Sequence, residues 1–186
     1  MTGFAFCGSF CTLSRALSVY EELIARGEDI LPIISERVYT TDTRFFKASE
    51  FVRRVESVSK HPVIHTVEDA EPLGAITPLD CLIIAPCTGN TLAKISHGIT
   101  DTAVTMAAKA HLRCDRPTLV ALSTNDAMSQ NLANIAALLQ RKSVYFVPMH
   151  QDDPKGKPHS LVADYSRLFD GYEKMKGGVQ LRPLFL

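Results

Sequence analysis

Three short stretches of this chain gather glycine, hydroxyl and amide residues behind apolar runs, and each pattern suits the recognition of an anion. Gly8-Ser9-Phe10-Cys11-Thr12-Leu13-Ser14 places a glycine for a tight turn ahead of hydroxyls and backbone N–H groups at the start of a helical pattern. Exposed donors and the helix dipole favour a phosphate at such a place. The spacing is neither Gly-x-Gly-x-x-Gly nor a Walker loop, so an ordinary capped strand–helix turn explains it as well. Ser35-Glu36, with Arg37 and Arg44 nearby, adds a hydroxyl and cations that suit a phosphate, a carboxylate or a solvated helix end. The third stretch is Pro86-Cys87-Thr88-Gly89-Asn90-Thr91, which follows the apolar run Leu82-Ile83-Ile84-Ala85. Thr88, Asn90 and Thr91 crowd one turn, whereas capping a helix needs only one of them.

The elements that must position these turns follow from hydrophobic periodicity. Short apolar runs at 3–7, 30–34, 80–85, 117–122 and 144–147 read as strands, and the near-continuous apolar character of Asp80 to Ala85 suits a strand buried on both faces. Helical spacing is predicted for 13–24, 43–59, 91–97, 102–112, 127–140 and 161–175. Ser123-Thr124-Asn125-Asp126 offers an N-cap cluster for the helix at 127–140. Residues 61–79 are rich in breakers and carry one short strand at Val63 to His65, 149–160 is a polar loop, and 177–186 is an apolar tail that needs a partner within the fold or on another subunit. Strands alternating with helices predict an α/β fold, a doubly wound three-layer Rossmann-like parallel sheet of flavodoxin-like type, formed as one domain over 1–186. Ligands of such sheets bind at the carboxyl ends of the strands.

Composition bounds the partners. With 186 residues, 20 basic and 20 acidic, the chain has no net charge to hold a nucleic acid or a membrane surface. The five cysteines, at 7, 11, 81, 87 and 114, read as reduced thiols of a cytoplasmic protein. The six histidines lack metal-ligand spacing, so no metal is predicted. No secretory signal or membrane-spanning stretch is visible.

Ala85-Pro86-Cys87-Thr88-Gly89-Asn90-Thr91-Leu92-Ala93-Lys94, followed by Gly98-Ile99-Thr100-Asp101-Thr102 and Thr105, resembles a signature of the flavoprotein family that includes phosphopantothenoylcysteine decarboxylase and the peptidyl-cysteine decarboxylases. That signature reads Ala-Pro-Ala-Thr-Ala-Asn-Thr-Ile-Ala-Lys, then Gly-Ile-Ala-Asp-Asn and Thr. The Gly8-Ser9 turn is similar to the family's Gly-Ser-Ile-Ala turn, and the likeness runs over residues 3–148. It implies that Gly8, Ser9, Ser35, Thr88, Asn90 and Thr91 hold FMN, with Ser14 and Pro86 of the same turns beside them and Asp101 near the flavin. It also implies a homo-oligomer, a trimer or a multiple of one, with flavin sites at subunit contacts.

Two departures bear on the reaction. The family's cysteine decarboxylases carry a catalytic histidine in His-Ile-x-Leu shortly before the third strand, and the matching spacing here, Pro72-Leu73-Gly74-Ala75, has none. Their Pro-x-Met-Asn-x-x-Met-Trp motif lines up with Leu122-Ser123-Thr124-Asn125-Asp126-Ala127-Met128-Ser129, which keeps only Asn125 and Met128. Oxidative decarboxylation of a cysteine substrate is therefore not expected. A nearer resemblance, to the branch formed by the B subunits of dipicolinate synthases of spore-forming bacteria, rests on Ser123 to Leu132 and on Tyr145 to Val162, with Gln151-Asp152-Asp153-Pro154 and Lys157-Pro158 inside the latter. It implies oxidation of a dihydrodipicolinate-type ring to dipicolinic acid, together with an A subunit, with FMN on this chain or NAD(P) on the A subunit as hydride acceptor.

A substrate with two carboxylates calls for a cationic clamp. Arg15, Arg37, Arg44 and Lys157 lie near strand-end turns, with Arg37 preferred and Asn125 and Met128 as further substrate contacts. Asn125 and Asp126 are the catalytic candidates, with His150 and Asp152 as other conceivable bases. The loop at 151–160 either closes over the ring or docks the A subunit. Three classes stay open: a flavin-dependent redox subunit, a scaffold that has kept the fold, and a decarboxylase of another small acid.

Overall fold

The computed structural model describes residues 1–186. Its framework is a seven-stranded sheet in the order β2-β1-β3-β4-β7-β6, with β5 also paired to β4. The strands are β1 (Thr2–Phe6), β2 (Ile30–Ile34), β3 (Cys81–Cys87), β4 (Thr118–Thr124), β5 (Val144–Phe146), β6 (Met149–His150) and β7 (Leu161–Ala163). The first five run parallel, while β7 is antiparallel to both β4 and β6. The helices are α1 (Phe10–Ala25), α2 (Glu36–Thr40), α3 (Ala48–Ser59), α4 (Val67–Ala70), α5 (Gly89–His97), α6 (Ala103–Leu112), α7 (Leu132–Leu139) and α8 (Leu168–Lys176). This is the doubly wound α/β arrangement the periodicity predicts. The chain leaves β1 toward β2 on one side and returns to β3 on the other, which puts the topological switch point between β1 and β3.

Alternation along the strands divides the core. Phe4, Phe6, Ile83, Leu119 and Ala121 join a cluster with side chains of α1, α3 and α8, and Ala5, Leu82, Ile84, Val120 and Leu122 join one with α5, α6 and α7. Each cluster holds 26 buried residues, so both sheet faces are covered and the continuous apolar strand sequences are accounted for. At the end of β3 the alternation breaks. Ala85 belongs to the first cluster and Cys87 to the second, because the register against β4 slips between Ile84 and Cys87. An extra residue in one strand turns every later side chain to the other face. The strand thus continues through Pro86 instead of stopping there.

Three helix expectations are corrected. The helix predicted at 43–59 starts at Ala48, because the Thr43 hydroxyl accepts the Phe45 and Phe46 N–H groups and Asp42 accepts that of Ala48. The helix predicted at 127–140 starts at Leu132, since the Asp126 carbonyl draws the Ser129 and Asn131 amides into turns. The helix predicted at 161–175 begins as β7 and turns helical at Leu168, after Asp164 caps a short 3-10 turn at Tyr165–Arg167. Residues Ser123 and Thr124 at the end of β4 need a ladder partner beyond the reach of β5, and 161–162 supply it. The loop predicted at 149–160 likewise opens with β6, and the tail is tied to the fold through hydrogen bonds and Leu184, while Val179, Phe185 and Leu186 stay exposed. Met149 N–H donates to the Leu184 carbonyl at 2.8 Å, and Gln180 bonds both the N–H and the carbonyl of Phe146 at 2.9 and 2.7 Å.

His111 on α6 is fully buried, with Nε2 donating to the Pro117 carbonyl at 2.9 Å and Nδ1 unpartnered. Burial, which penalises the charged ring, holds its pKa below the ordinary value. All five cysteines are unpaired. No helix is long and apolar enough to cross a membrane.

Candidate functional site

Two hollows open at the carboxyl ends of the strands. The first, of about 360 Å³, is walled by the start of α1 (Gly8 to Thr12), Thr88, Ser123 to Asn125, and Asp152, Lys157 and Ser160 of the 151–160 segment. The second, of about 350 Å³, lies among Glu36, Tyr39, His65, Thr66 and Asp101. Both fall in the lower part of the range usual for small-molecule sites.

The helix starts around these hollows are of two kinds. Thr88 caps α5 by accepting the Thr91 N–H at 3.2 Å, and Thr102 caps α6 in the same way, with Thr105 closing a capping box. By contrast, neither Ser9 at the start of α1 nor Ser35 at the start of α2 makes a side-chain cap. The Ser35 hydroxyl is buried with no partner, a state that costs free energy unless something else satisfies it. A Cβ added to Gly8 would approach protein atoms only at 3.6 Å, on Arg37 and Phe10. Packing therefore does not demand glycine at position 8; a bare backbone there suits a ligand that comes close. Free amides, hydroxyl donors and an orphaned Ser35 hydroxyl fit the phosphate and polyol chain of FMN.

Gly89 is a different case. A Cβ there would sit 2.6 Å from Asn131 Nδ2, 2.6 Å from Thr124 Oγ1 and 2.7 Å from Asp126 Oδ1. The Thr124 hydroxyl donates to that Asp126 carboxylate, and Asn134 donates to Asn131 Oδ1 at 3.0 Å. The family signature has alanine where this chain has Gly89, and the polar Thr124 and Asp126 fill the space that alanine's methyl group would take. Gly89→Ala is expected to cost about 2 kcal/mol by overpacking and to disturb the Thr124–Asn125 wall of the first hollow. Thermal unfolding and an FMN titration of the variant check this, and a melting temperature equal to that of the parent would rule out the packing account.

The residues singled out from sequence are dispersed around this geometry. Gly8, Ser9, Thr88 and Asn125 line the first hollow and Asp101 the second. Ser35 stands at the end of β2, beside β1. Pro86 is buried at the switch point, its carbonyl accepting the Cys7 N–H at 3.2 Å. Thr91 is buried beneath its turn and accepts the Thr88 hydroxyl at 3.0 Å, whereas Asn90 is exposed on the first turn of α5. Ser14 is exposed on α1, Arg37 is exposed on α2, and neither lines a hollow. Asp126 is turned toward Gly89, and Met128 packs against the core.

Asp101 is gripped by Lys94, whose Nζ lies 2.8 Å from both carboxylate oxygens. That contact holds the Asp101 carboxyl below its usual pKa and pairs its charge with the Lys94 ammonium. His65, like Asp101, faces the second hollow. Its ring is stacked on Tyr39 at 3.9 Å with an interplanar angle of 14°, and its buried Nδ1 has no partner. Counting residues back from the third strand misses it, because α4 and a 3-10 turn at Glu71–Leu73 lie between His65 and β3. The signal that marks it is the short run Val63-Ile64-His65, in which Ile64 bridges to Ile33 of β2 and so carries the histidine to the strand ends. Cys7 and Cys87 are buried, and burial pushes the Cys7 thiol up to about 11, which leaves it protonated and inert as a nucleophile. No cluster of three or more His, Cys, Asp or Glu side chains converges on a metal-sized site.

Comparison with known proteins fits this geometry. Residues 3–166 match the family model described as Flavoprotein. The B subunit of dipicolinate synthase from Bacillus subtilis (strain 168) is 40% identical over 184 residues, 99% of this chain and 92% of that protein. The flavin prenyltransferase UbiX of Chlamydia muridarum is 27% identical over 137 residues, 72% of this chain and 71% of that protein. Among solved structures, the B subunit of dipicolinate synthase from Bacillus halodurans superposes with a TM-score of 0.90 at 40% identity, covering 100% of this chain and 95% of that one. The FMN-dependent cysteine decarboxylase SpaF, at 22% identity and a TM-score of 0.69 over 95% of each chain, shares the fold.

Proposed function

Because this chain belongs to the flavoprotein family, we propose that it serves as the B subunit of a dipicolinate synthase, binding FMN and oxidising a dihydrodipicolinate-type precursor to dipicolinic acid with an A subunit during sporulation. The observation that carries this reading is the likeness to dipicolinate synthase B subunits along the whole chain, a span that takes in Ser123 to Asn125 and the 151–160 segment of the first hollow. Gly8, Ser9 and Thr12 at the start of α1, with Ser35 at the end of β2, are the residues that would hold the cofactor. Bound there, FMN would supply an acceptor for the hydride that leaves the dihydro ring.

The chain's own groups account for the rest. Asn125 at the mouth of the first hollow presents an amide to a substrate carboxylate. Aromatisation also releases a proton, and His65, which lines the second hollow, is the base this reading assigns to it. Tyr39, in the same hollow, fixes the imidazole plane by stacking. Assembly into a homo-oligomer belongs to the same reading, since Ile99 and Leu132 expose 48% and 50% of their surface and would be covered by it.

The test has two parts. The purified chain is expected to take up FMN on titration, seen as visible flavin bands that stay with the protein on gel filtration. Mixed with an A subunit and a dihydrodipicolinate-type precursor, it is expected to form a product with the ultraviolet absorption of pyridine-2,6-dicarboxylate. Protein that never retains FMN would sink the cofactor assignment, and an A subunit equally active without this chain would sink the synthase role.

A further inference from the structure

The first hollow contains one oddity for a place that receives an anion. Among its lining side chains only two are charged, Lys157 and Asp152, and one of them is negative. The two are bonded to each other, Lys157 Nζ to Asp152 Oδ2 at 2.9 Å, while the Ser160 hydroxyl donates to Asp152 Oδ1 at 2.7 Å. These bonds hold the Asp152 carboxyl below its ordinary pKa, Ser160 contributing most.

The segment that carries them is built rather than loose. Gln151 Nε2 donates to the Pro158 carbonyl at 3.0 Å, Gly156 N–H to Asp153 Oδ1 at 2.9 Å and Lys157 N–H to the Asp153 carbonyl at 2.7 Å. The Met128 N–H donates to the His159 carbonyl at 3.0 Å and ties the segment to the turn after β4. The pairing of Ser123 with Val162 brings its far end onto β4. The result is a strap across the hollow that presents one ammonium group opposite the uncapped start of α1.

We propose that Lys157 is the cation that grips the anionic group of the ligand in this hollow, and that Asp152 holds Lys157 in place until that anion displaces it. The proposal rests on the reading that the hollow receives a phosphate- or carboxylate-bearing ligand. Two partners compete for the Lys157 ammonium. The Lys157–Asp152 pair is solvated, with 52% and 33% of the side chains exposed, and such pairs are held weakly. A phosphate or carboxylate enclosed by the start of α1, Thr88 and the strap is less hydrated, so its charge-assisted bond to the ammonium is the stronger one. The four-carbon lysine stem lets Nζ swing from one partner to the other without moving the strap. Asp152 then keeps the Ser160 bond and remains anchored. Arg37, by contrast, lines neither hollow.

The anion has two sources, the phosphate of FMN and a carboxylate of the substrate, and binding titrations separate them. FMN, riboflavin and pyridine-2,6-dicarboxylate are titrated into the full chain and into Lys157→Ala, Lys157→Arg, Asp152→Asn and the control Lys155→Ala. Lys157→Ala is expected to weaken binding of FMN, of the dicarboxylate, or of both by about 10-fold, with riboflavin unchanged. Loss confined to FMN identifies the phosphate as the anion gripped, and loss confined to the dicarboxylate identifies the substrate. Lys157→Arg is expected to recover most of the loss, and Lys155→Ala to match the parent. Asp152→Asn, which removes both the competitor and the repelling charge, is expected to tighten anion binding about 3-fold. Equal binding of both anions by Lys157→Ala and the parent overturns the proposal, and weaker binding by Asp152→Asn overturns the role given to Asp152. A parent chain that binds neither anion overturns the reading of the hollow itself, before any variant is compared.

Discussion

Replacing His65 with glutamine is expected to lower kcat of the reconstituted synthase by about 100-fold or more, the scale on which a positioned general base contributes. Glutamine approximates the reach of histidine and still forms hydrogen bonds, but it cannot accept a proton at neutral pH. His65 lies on a backbone segment fixed to the sheet through Ile64 and Ile33, and its ring is held against Tyr39 at 3.9 Å. The substitution therefore should leave FMN affinity and melting temperature close to those of the parent while KM changes little. The split between kcat and FMN affinity supplies the discriminating readout, since a merely structural role would lower both. A kcat within about threefold of the parent would remove His65 from the reaction.

Gly74→Ala is expected to lower stability by about 3 kcal/mol, the upper end of ordinary overpacking, and to drop the melting temperature by about 10 °C for a chain of this size. Gly74 follows the 3-10 turn at Glu71–Leu73 and lies against α6. A Cβ there would stand 2.2 Å from the Ala110 carbonyl oxygen and 2.8 Å from its carbon. Unlike Gly89, whose neighbours are side-chain ends, Gly74 meets helix backbone that cannot turn aside. Relief would require 66–79 to lift off α6 and expose Leu73, which is 3% accessible. His65 sits at the head of that segment, so FMN-independent melting and synthase turnover should fall together. A variant that melts within about 2 °C of the parent would show that the segment rides freely on α6.

These two positions also mark how far the chain is legible without its fold. The pattern around Gly8, Thr88 and Asn125 is local: a glycine or hydroxyl directly behind a buried strand ends at the sheet's carboxyl edge whatever else the chain does. That is why these residues line one hollow. The alternation of apolar runs with helical spacing likewise sets the doubly wound sheet, because each pattern has its own period and only one face or two to bury. Helix starts at 43, 127 and 161 are less legible, since the deciding bonds come from Asp42, from the Asp126 carbonyl and from an unfilled edge of β4.

The fold class, the family signature and the three turns that face a ligand are all written in residues close together along the chain, so the bare sequence is enough to specify them. Which charges meet at those turns is settled only when the chain has folded. Lys157 rather than Arg37 lines the first hollow because β7 turns back along β4 and brings the strap to the hollow at the start of α1. His65 reaches the second because an extra bridge beside β2 holds it while residues 66–79 loop away to α6. Spacing along a chain cannot encode either meeting, since a hydrogen bond or a charge acts through distance in space and the sheet joins segments that the sequence keeps apart.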